Sequence, residues 1–358
     1  MKVAIVYDRV NKSGGAERLL QSLLSIWPEA PLFTLVYDSQ KALWSKKVKV
    51  SPTFLNRVPF LRSRHELLAP IAPLAFETLD LRPFDLVVSV TSADAKSVIT
   101  NTNQKHICIC LTPTRYLWKG SKNYKNDWKM RLLPRFLFEY FRLVDQITAS
   151  RPDHYIAISK EIKKRIKKYY LRDSVVIHPP INNIFFAKHK KYSKEDFYLV
   201  AGRLVPYKKV DLVIDCFNKL NKKLVVIGAG SELNRLKKIS LSNITFLGEV
   251  SDKDLIRYYS QAKALIFPGL EDFGLVPLEA QSQGTPVIAY GRGGARETVI
   301  DGKTGVFFKH QSSKSLHKAI EKFENLNIDP KECLNNAKKF TEAVFTEKIM
   351  KYVESVKD

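Results

Sequence analysis

The sequence predicts an α/β protein of two domains, each built on a parallel sheet covered on both faces. Three observations carry this. Short apolar runs alternate with helical patterns along the chain, which is how β-α-β units with parallel strands read. At 358 residues the chain exceeds one core, since single cores stop growing near ~250 residues. The alternation also breaks once, at Pro179 and Pro180 with the polar, basic residues through Asp196, and restarts at FYLVAGR from Phe197. This stretch reads as the linker, and the domains are placed over 1–185 and 186–339.

The first strand is KVAIVYD, Lys2 to Asp8. It starts directly after Met1, which predicts no signal peptide, and no run of ~18 apolar residues is present to span a bilayer. The expected location is the cytoplasm. A loop, RVNKSGGAER, then leads into the helix LLQSLLSIW. Gly14 and Gly15 let backbone pass close to a ligand, and Glu17 and Arg18 open the helix. The spacing and terminal Lys-Ser/Thr of a P-loop are missing, so a ligand-lining loop and a plain turn both fit.

Further strands are expected at PLFTLVYD, FDLVVSVT, HICICLT, HYIAIS and SVVIHPP. Cys108 and Cys110 lie two apart on one of them, with Cys216 and Cys333 far away. That is not a zinc spacing, so reduced structural thiols and no metal site are expected. Two segments mix apolar and basic residues: Thr53 to Leu79, with Arg57, Arg62 and Arg64, and Trp128 to Leu143, with Lys129, Arg131, Arg135 and Arg142. Such segments lie in a membrane interface or form core helices with wet edges.

The net charge is +23, an excess that asks for an anionic partner: nucleic acid, anionic lipid or a phosphate-rich substrate. Basic residues concentrate in Lys160 to Arg172, a plausible helix with Ile162 and Ile166 on one face, and in Lys188 to Lys194. Aromatic residues of the kind that stack bases are sparse there, which argues against nucleic acid.

In the second half, GRLVPYKKVDLVIDCF places Arg203 and Lys208 on one strand-to-helix loop. An Arg fork and a Lys point charge can grip a diphosphate. Gly228 and Gly230 follow the next strand, with Glu249 some twenty residues on, but Leu233 stands at the third glycine position, so a dinucleotide fingerprint is weak. The strand ITFLGEV is expected to end at Val250. Asp252 and Asp254 in SDKDL look like a metal pair, yet Ser251 with Asp254 three later is a capping pair.

The most informative stretch is Phe267 to Gly294, FPGLEDFGLVPLEAQSQGTPVIAYGRGG. Pro268 and Gly269 end an apolar strand and a helix begins near Gly274. A helix start offers backbone N–H donors to an anion, here expected from Phe273, Gly274, Leu275 and Val276. Glu271 and Glu279 flank them, and two carboxylates beside a phosphate are tolerable when each binds something else, such as sugar hydroxyls.

Two glutamates separated by seven residues with Phe-Gly between resemble the signature of retaining GT-B glycosyltransferases of the family 4 type, and within them the O-antigen mannosyltransferases. The resemblance covers Met1 to about Gly305. It implies two Rossmann-like domains with parallel sheets facing across a cleft, a C-terminal helix, about 340–358, returning to the first domain, and catalysis without metal or other cofactor. Arg203 and Lys208 would neutralise the donor diphosphate, Glu271 would hold sugar hydroxyls and Glu279 the ribose. Phe273, Gly274 and Leu275 would give backbone donors, Val250 would lie beside the base, and Gly14 and Gly15 near the donor phosphates. A glycine is usual in the family where this chain has Lys209.

One departure stands out: the subgroup carries His directly before Thr-Pro, where this chain has Leu111, which forms no side-chain hydrogen bond. His106, earlier on the strand, reads as structural. The implied donor is GDP-mannose, with a UDP-sugar behind it, and the implied acceptor a polyprenyl-diphosphate-linked or cell-surface glycan at the anionic inner membrane face. A non-catalytic nucleotide-sugar binder and a basic nucleic-acid binder remain as alternatives.

Overall fold

The computed structural model describes residues 1–58, 60, 68, 70–118, 135–187 and 192–356. Arg62, Arg64, Trp128, Lys129, Arg131 and Lys188 to Lys191 lie outside the described residues, as does the side chain of Arg135. The chain divides into two compact units, Met1–His178 with Thr346–Asp358, and Pro179–Phe345. The division thus falls at His178/Pro179, where two prolines end the last strand of the first unit.

The first unit holds β1 (Val3–Tyr7), α1 (Gly15–Ile26), β2 (Leu32–Thr34), β3 (Val50–Pro52), α2 (Ala72–Glu77), β4 (Leu86–Thr91), β5 (Lys105–Cys110), α3 (Arg135–Ala149), β6 (His154–Ala157), α4 (Lys160–Tyr170) and β7 (Val175–Val176). All strand pairs are parallel, in the order β3-β2-β1-β4-β5-β6-β7. The central strands are buried throughout, as continuous apolar runs covered on both faces must be. The edges differ from expectation. Val50–Pro52 adds a strand the sequence pattern missed, and SVVIHPP pairs over two residues only. Ser159 caps α4 by accepting from the Ile162 N–H, and the helix buries Ile162 and Ile166. Phe76 and Ala72 of α2 pack with Leu55, Val87 and Val98 in one apolar cluster. Cys108, Cys110, Cys216 and Cys333 are buried free thiols, and burial pushes Cys108 up to about 12.

The second unit holds β8 (Tyr198–Ala201), α5 (Val210–Leu220), β9 (Leu224–Ile227), α6 (Leu233–Lys238), β10 (Ile244–Gly248), α7 (Asp252–Gln261), β11 (Ala264–Phe267), α8 (Leu275–Ser282), β12 (Val287–Tyr290), α9 (Ala295–Thr298), β13 (Gly305–Phe308), α10 (Ser313–Glu324) and α11 (Pro330–Lys338). Its sheet is also parallel, ordered β10-β9-β8-β11-β12-β13. β10 ends at Gly248, so Val250 belongs to the loop before α7. The Ser251 hydroxyl accepts from the Asp254 N–H at 3.1 Å, which makes Asp252 and Asp254 first-turn acids of α7. The proposed linker is partly built into this unit: Asn183–Phe186 forms a 3₁₀ turn whose Phe185 is buried against Tyr259. The last helix, α12 (Glu342–Ser355), begins in the second unit and contributes Thr346 onward to the first. No described helix is long and apolar enough to cross a membrane.

Candidate functional site

In the second sheet the strand order reverses between β8 and β11, which run side by side. Loops leaving the carboxyl ends of two such strands part from each other and leave a crevice, the usual ligand position in an open parallel sheet. The loop after β8 carries Arg203 and Lys208; the loop after β11 carries Glu271 and leads into α8. Residues from both, among them Gly202, Arg203, Lys208, Phe267, Gly269 and Glu271, line one pocket.

Within it the Lys208 ammonium donates to Glu271 Oε1, an ion pair joining loops 63 residues apart. Arg203 is exposed, its Nη2 3.1 Å from the Tyr207 hydroxyl. Lys208 closes a 3₁₀ turn, Pro206–Lys208, and Lys209 follows at φ 57, ψ 36, a left-handed conformation that favours glycine.

Close backbone packing fixes these loops. A Cβ on Gly230 would stand 2.2 Å from the Leu204 carbonyl oxygen, and the Leu204 N–H donates to Ala229 O at 2.8 Å. The Gly228-x-Gly230 pattern therefore seats the Arg203 loop; its resemblance to a dinucleotide fingerprint has this steric origin. On the other side a Cβ on Gly294 would stand 2.1 Å from Phe273 O, while the Gly294 N–H donates to Glu271 O at 2.9 Å.

Gly274, at φ 113, caps α8. The N–H groups of Leu275 and Val276 in the first turn have no acceptor among the described residues, and Pro277 has no N–H to offer. Phe273 is buried. Glu279, one turn into α8, is also buried and accepts from the Tyr259 hydroxyl at 3.0 Å. Sequence reasoning missed Tyr259. Its one signal was a tyrosine among the apolar positions of α7, where a buried hydroxyl requires a partner. Val250 is half-buried on its loop.

The first unit has its own switch point, between β1 and β4. The Asp8 carboxylate fills it, accepting from Thr91 Oγ1 at 2.8 Å and from the N–H groups of Ser92, Asp94 and Ala95 at 2.6–3.0 Å. Gly14, in extended backbone, caps α1, and Gly15 is its first residue. Glu17 is buried and accepts from Tyr7 Oη at 2.7 Å. Burial pushes the Asp94 carboxyl up to about 7, against the pull of Lys96. Leu111 follows β5, half-buried, its N–H donating to Thr91 O.

The TPTRYLW turn after Leu111 is anchored by Asp145 of α3, which sequence reasoning also missed. Its carboxylate accepts from Lys96 Nζ at 2.7 Å, Thr114 Oγ1 at 2.8 Å, Trp118 Nε1 at 2.6 Å and Tyr170 Oη at 3.3 Å. Burial opposes the Lys96 charge, yet Asp145 and Asp94 raise its pKa. A larger depression lined by Asp153, His154, Arg172 and Tyr352 opens at the amino ends of β6 and β7, on the side of the sheet away from these loops.

Residues 181–340 match the protein-family model described as "Glycosyl transferases group 1". An uncharacterized glycosyltransferase of Methanocaldococcus jannaschii is 28% identical over 227 residues, covering 62% of each chain. The O-antigen chain mannosyltransferase RfbU of Salmonella typhimurium is 29% identical over 204 residues, 52% of this chain and 55% of its own. The chain thus spans roughly three fifths of the length of the curated relatives it matches. HepE of Anabaena, solved in complex with UDP-glucose, superposes with a TM-score of 0.73 at 16% identity, covering 99% of this chain and 100% of that one. The fold is GT-B, two parallel-sheet, Rossmann-like domains.

Proposed function

We propose that the protein is a retaining, metal-independent glycosyltransferase that moves a hexose, foremost mannose from GDP-mannose, onto a lipid-linked or cell-surface glycan. The observation that carries this reading is the meeting of Arg203, Lys208 and Glu271 in one pocket at the β8/β11 crevice. Two cations suit the diphosphate of a nucleotide-sugar, Arg203 as a fork and Lys208 as a point charge, and both would stabilise the negative charge that grows as the glycosidic bond breaks. An ammonium has three donors, so Lys208 keeps Glu271 and has two left for phosphate oxygens. The free lone pairs of Glu271 take sugar hydroxyls. Glu279, oriented by Tyr259, takes the ribose hydroxyls, and the backbone of Phe273, Gly274 and Leu275 faces phosphate, with Val250 beside the base.

Retention follows from front-face attack: the acceptor oxygen bonds the anomeric carbon on the side the phosphate leaves, and the departing phosphate oxygen takes the hydroxyl proton. Of the relatives named above the Salmonella typhimurium protein is a mannosyltransferase, which favours mannose, and the HepE complex keeps UDP-glucose as the next donor to try. A polyprenyl-diphosphate-linked acceptor would put the enzyme on the inner membrane face, where its charge is useful.

Leu111 favours a second reading, a nucleotide-sugar binder without turnover. The test is binding and turnover across GDP- and UDP-sugars for the native chain, Arg203→Ala and Glu271→Ala. One donor consumed, with turnover down by ~10²-fold or more in both variants, is the expected result. Binding without turnover supports the second reading, and binding of no donor refutes both.

A further inference from the structure

In the first sheet the connections β3 to β4, β4 to β5, β5 to β6 and β6 to β7 all step in one direction. Right-handed crossovers therefore place α2, the 3₁₀ turn at Ala95–Ser97, α3 and α4 on one face. Their packing agrees, α2 and α3 both touching that turn and α3 touching α4. A covering layer of this kind is apolar inward and polar outward. Inward it conforms, with Leu55, Ala72, Phe76 and Val98 buried. Outward it does not: Ile71, Leu74 and Ile99 are exposed. Along α3, Phe136 is 70% exposed, Tyr140 57%, Leu143 54% and Ile147 54%, and their spacing of four, three and four residues makes one stripe. A layer apolar on both sides fits a second partner.

The charge beside the stripe says which. Lys163, Lys164, Lys167 and Lys168 of α4 are all exposed, and roughly two thirds of the +23 net charge falls in residues 1–178. A second copy meeting this face would bring like charges together. Anionic headgroups would neutralise the lysines while the acyl boundary takes the Phe, Leu and Ile side chains and the interface takes Tyr140. We propose that the outer side of α2, α3 and α4 is a docking face for an anionic lipid bilayer. This deepens the lipid-linked acceptor proposed above, but docking is read without donor or turnover, so either can fail alone.

The test is flotation of the full chain with vesicles of phosphatidylglycerol mixed with phosphatidylcholine, and of phosphatidylcholine alone. Partitioning should favour the anionic vesicles by about tenfold or more and weaken in high salt. Leu143→Glu with Ile147→Glu, and separately Lys163→Glu with Lys164→Glu, should each cost about tenfold or more. Leu241→Glu, on an exposed site of the second unit, should change nothing. Circular dichroism checks folding; should the apolar pair unfold the chain, the lysine pair decides. No partitioning into anionic vesicles overturns the proposal, as does partitioning that neither pair lowers. So does a dimer in sedimentation velocity that the apolar pair splits while vesicles fail to bind, because the face would then belong to a second copy.

Discussion

Gly294→Ala tests how the site is held. An added Cβ would lie 2.1 Å from Phe273 O and 2.2 Å from Phe273 Cα, whereas unstrained contacts sit at about 3.5 Å. The Glu271–Phe273 loop must therefore retreat by roughly 1 Å, and it carries the carboxylate paired with Lys208. Overpacking of this kind costs about 1–3 kcal/mol, or some ~2–4 °C of Tm per kcal/mol for a unit of this size. A displacement of ~1 Å at a reacting group costs ~10²-fold in turnover. Gly302→Ala is the control: its φ of 75° strains any side chain, but nothing lies within 4 Å of the added carbon, so only ~1 kcal/mol of backbone strain is added. Thermal melting with nucleotide-sugar binding and turnover reads both effects. If Gly294→Ala melts no lower than Gly302→Ala and handles donor like the native chain, the packing account of the site is wrong.

Tyr259→Phe removes a buried hydrogen bond to Glu279; it should raise the donor KM while costing ~1–3 kcal/mol in denaturant titration, and an unchanged KM would remove Tyr259 from the site. Lys96→Met takes the cation from buried Asp145 and should lower stability by ~3–5 kcal/mol, visible as a shifted urea midpoint. His106 is buried in β5 with Nε2 2.8 Å from Ser89 Oγ, and burial pushes its pKa down to about 4. A base with a lowered folded pKa contributes full stability above its unfolded value of ~6.5 and loses it as pH falls toward about 4. The loss should total ~3 kcal/mol, and a His106→Gln chain whose acid profile matches the native one would contradict it.

The fold was legible where physics makes patterns local. β1, β4 and β5 read as strands because each is a short, mostly apolar, β-branched-rich run that is buried on both faces. β3 was not legible: Val50–Pro52 pairs with one neighbour, stays half-buried and sits among lysines. The site divides in the same way. Arg203, Lys208 and Glu271 were legible as candidates because loops after strands in a parallel sheet gather at one crevice, and the three line one pocket there. Tyr259 and Asp145 were not, since each acts through a contact 20 or 49 residues away that no spacing rule encodes. Gly228 and Gly230, a weak dinucleotide fingerprint in the sequence, are explained in a related way, because close approach of protein to protein selects the same residue as close approach of protein to phosphate.

The Lys208–Glu271 pair itself bears on what the pocket holds. Its side chains are 16% and 20% exposed, and a partly solvated pair adds little stability. Yet both loops that carry it are braced by backbone packing at glycines: Gly269 stands against Lys208 Cα, and Gly294 against Phe273. Bracing around so weak a pair is what the proposed nucleotide-sugar site calls for, since the pair itself does little for folding. The molecule must also satisfy both signs. Inorganic phosphate would meet Lys208 and Arg203 but be repelled by Glu271, and a free sugar would meet Glu271 while bringing Arg203 no anion. A nucleotide-sugar carries a dianionic bridge and neutral hydroxyls a few bonds apart. Phosphate alone and sugar alone should therefore compete poorly against it, and strong competition by either would remove the reason for reading the pair as a two-part recognition site.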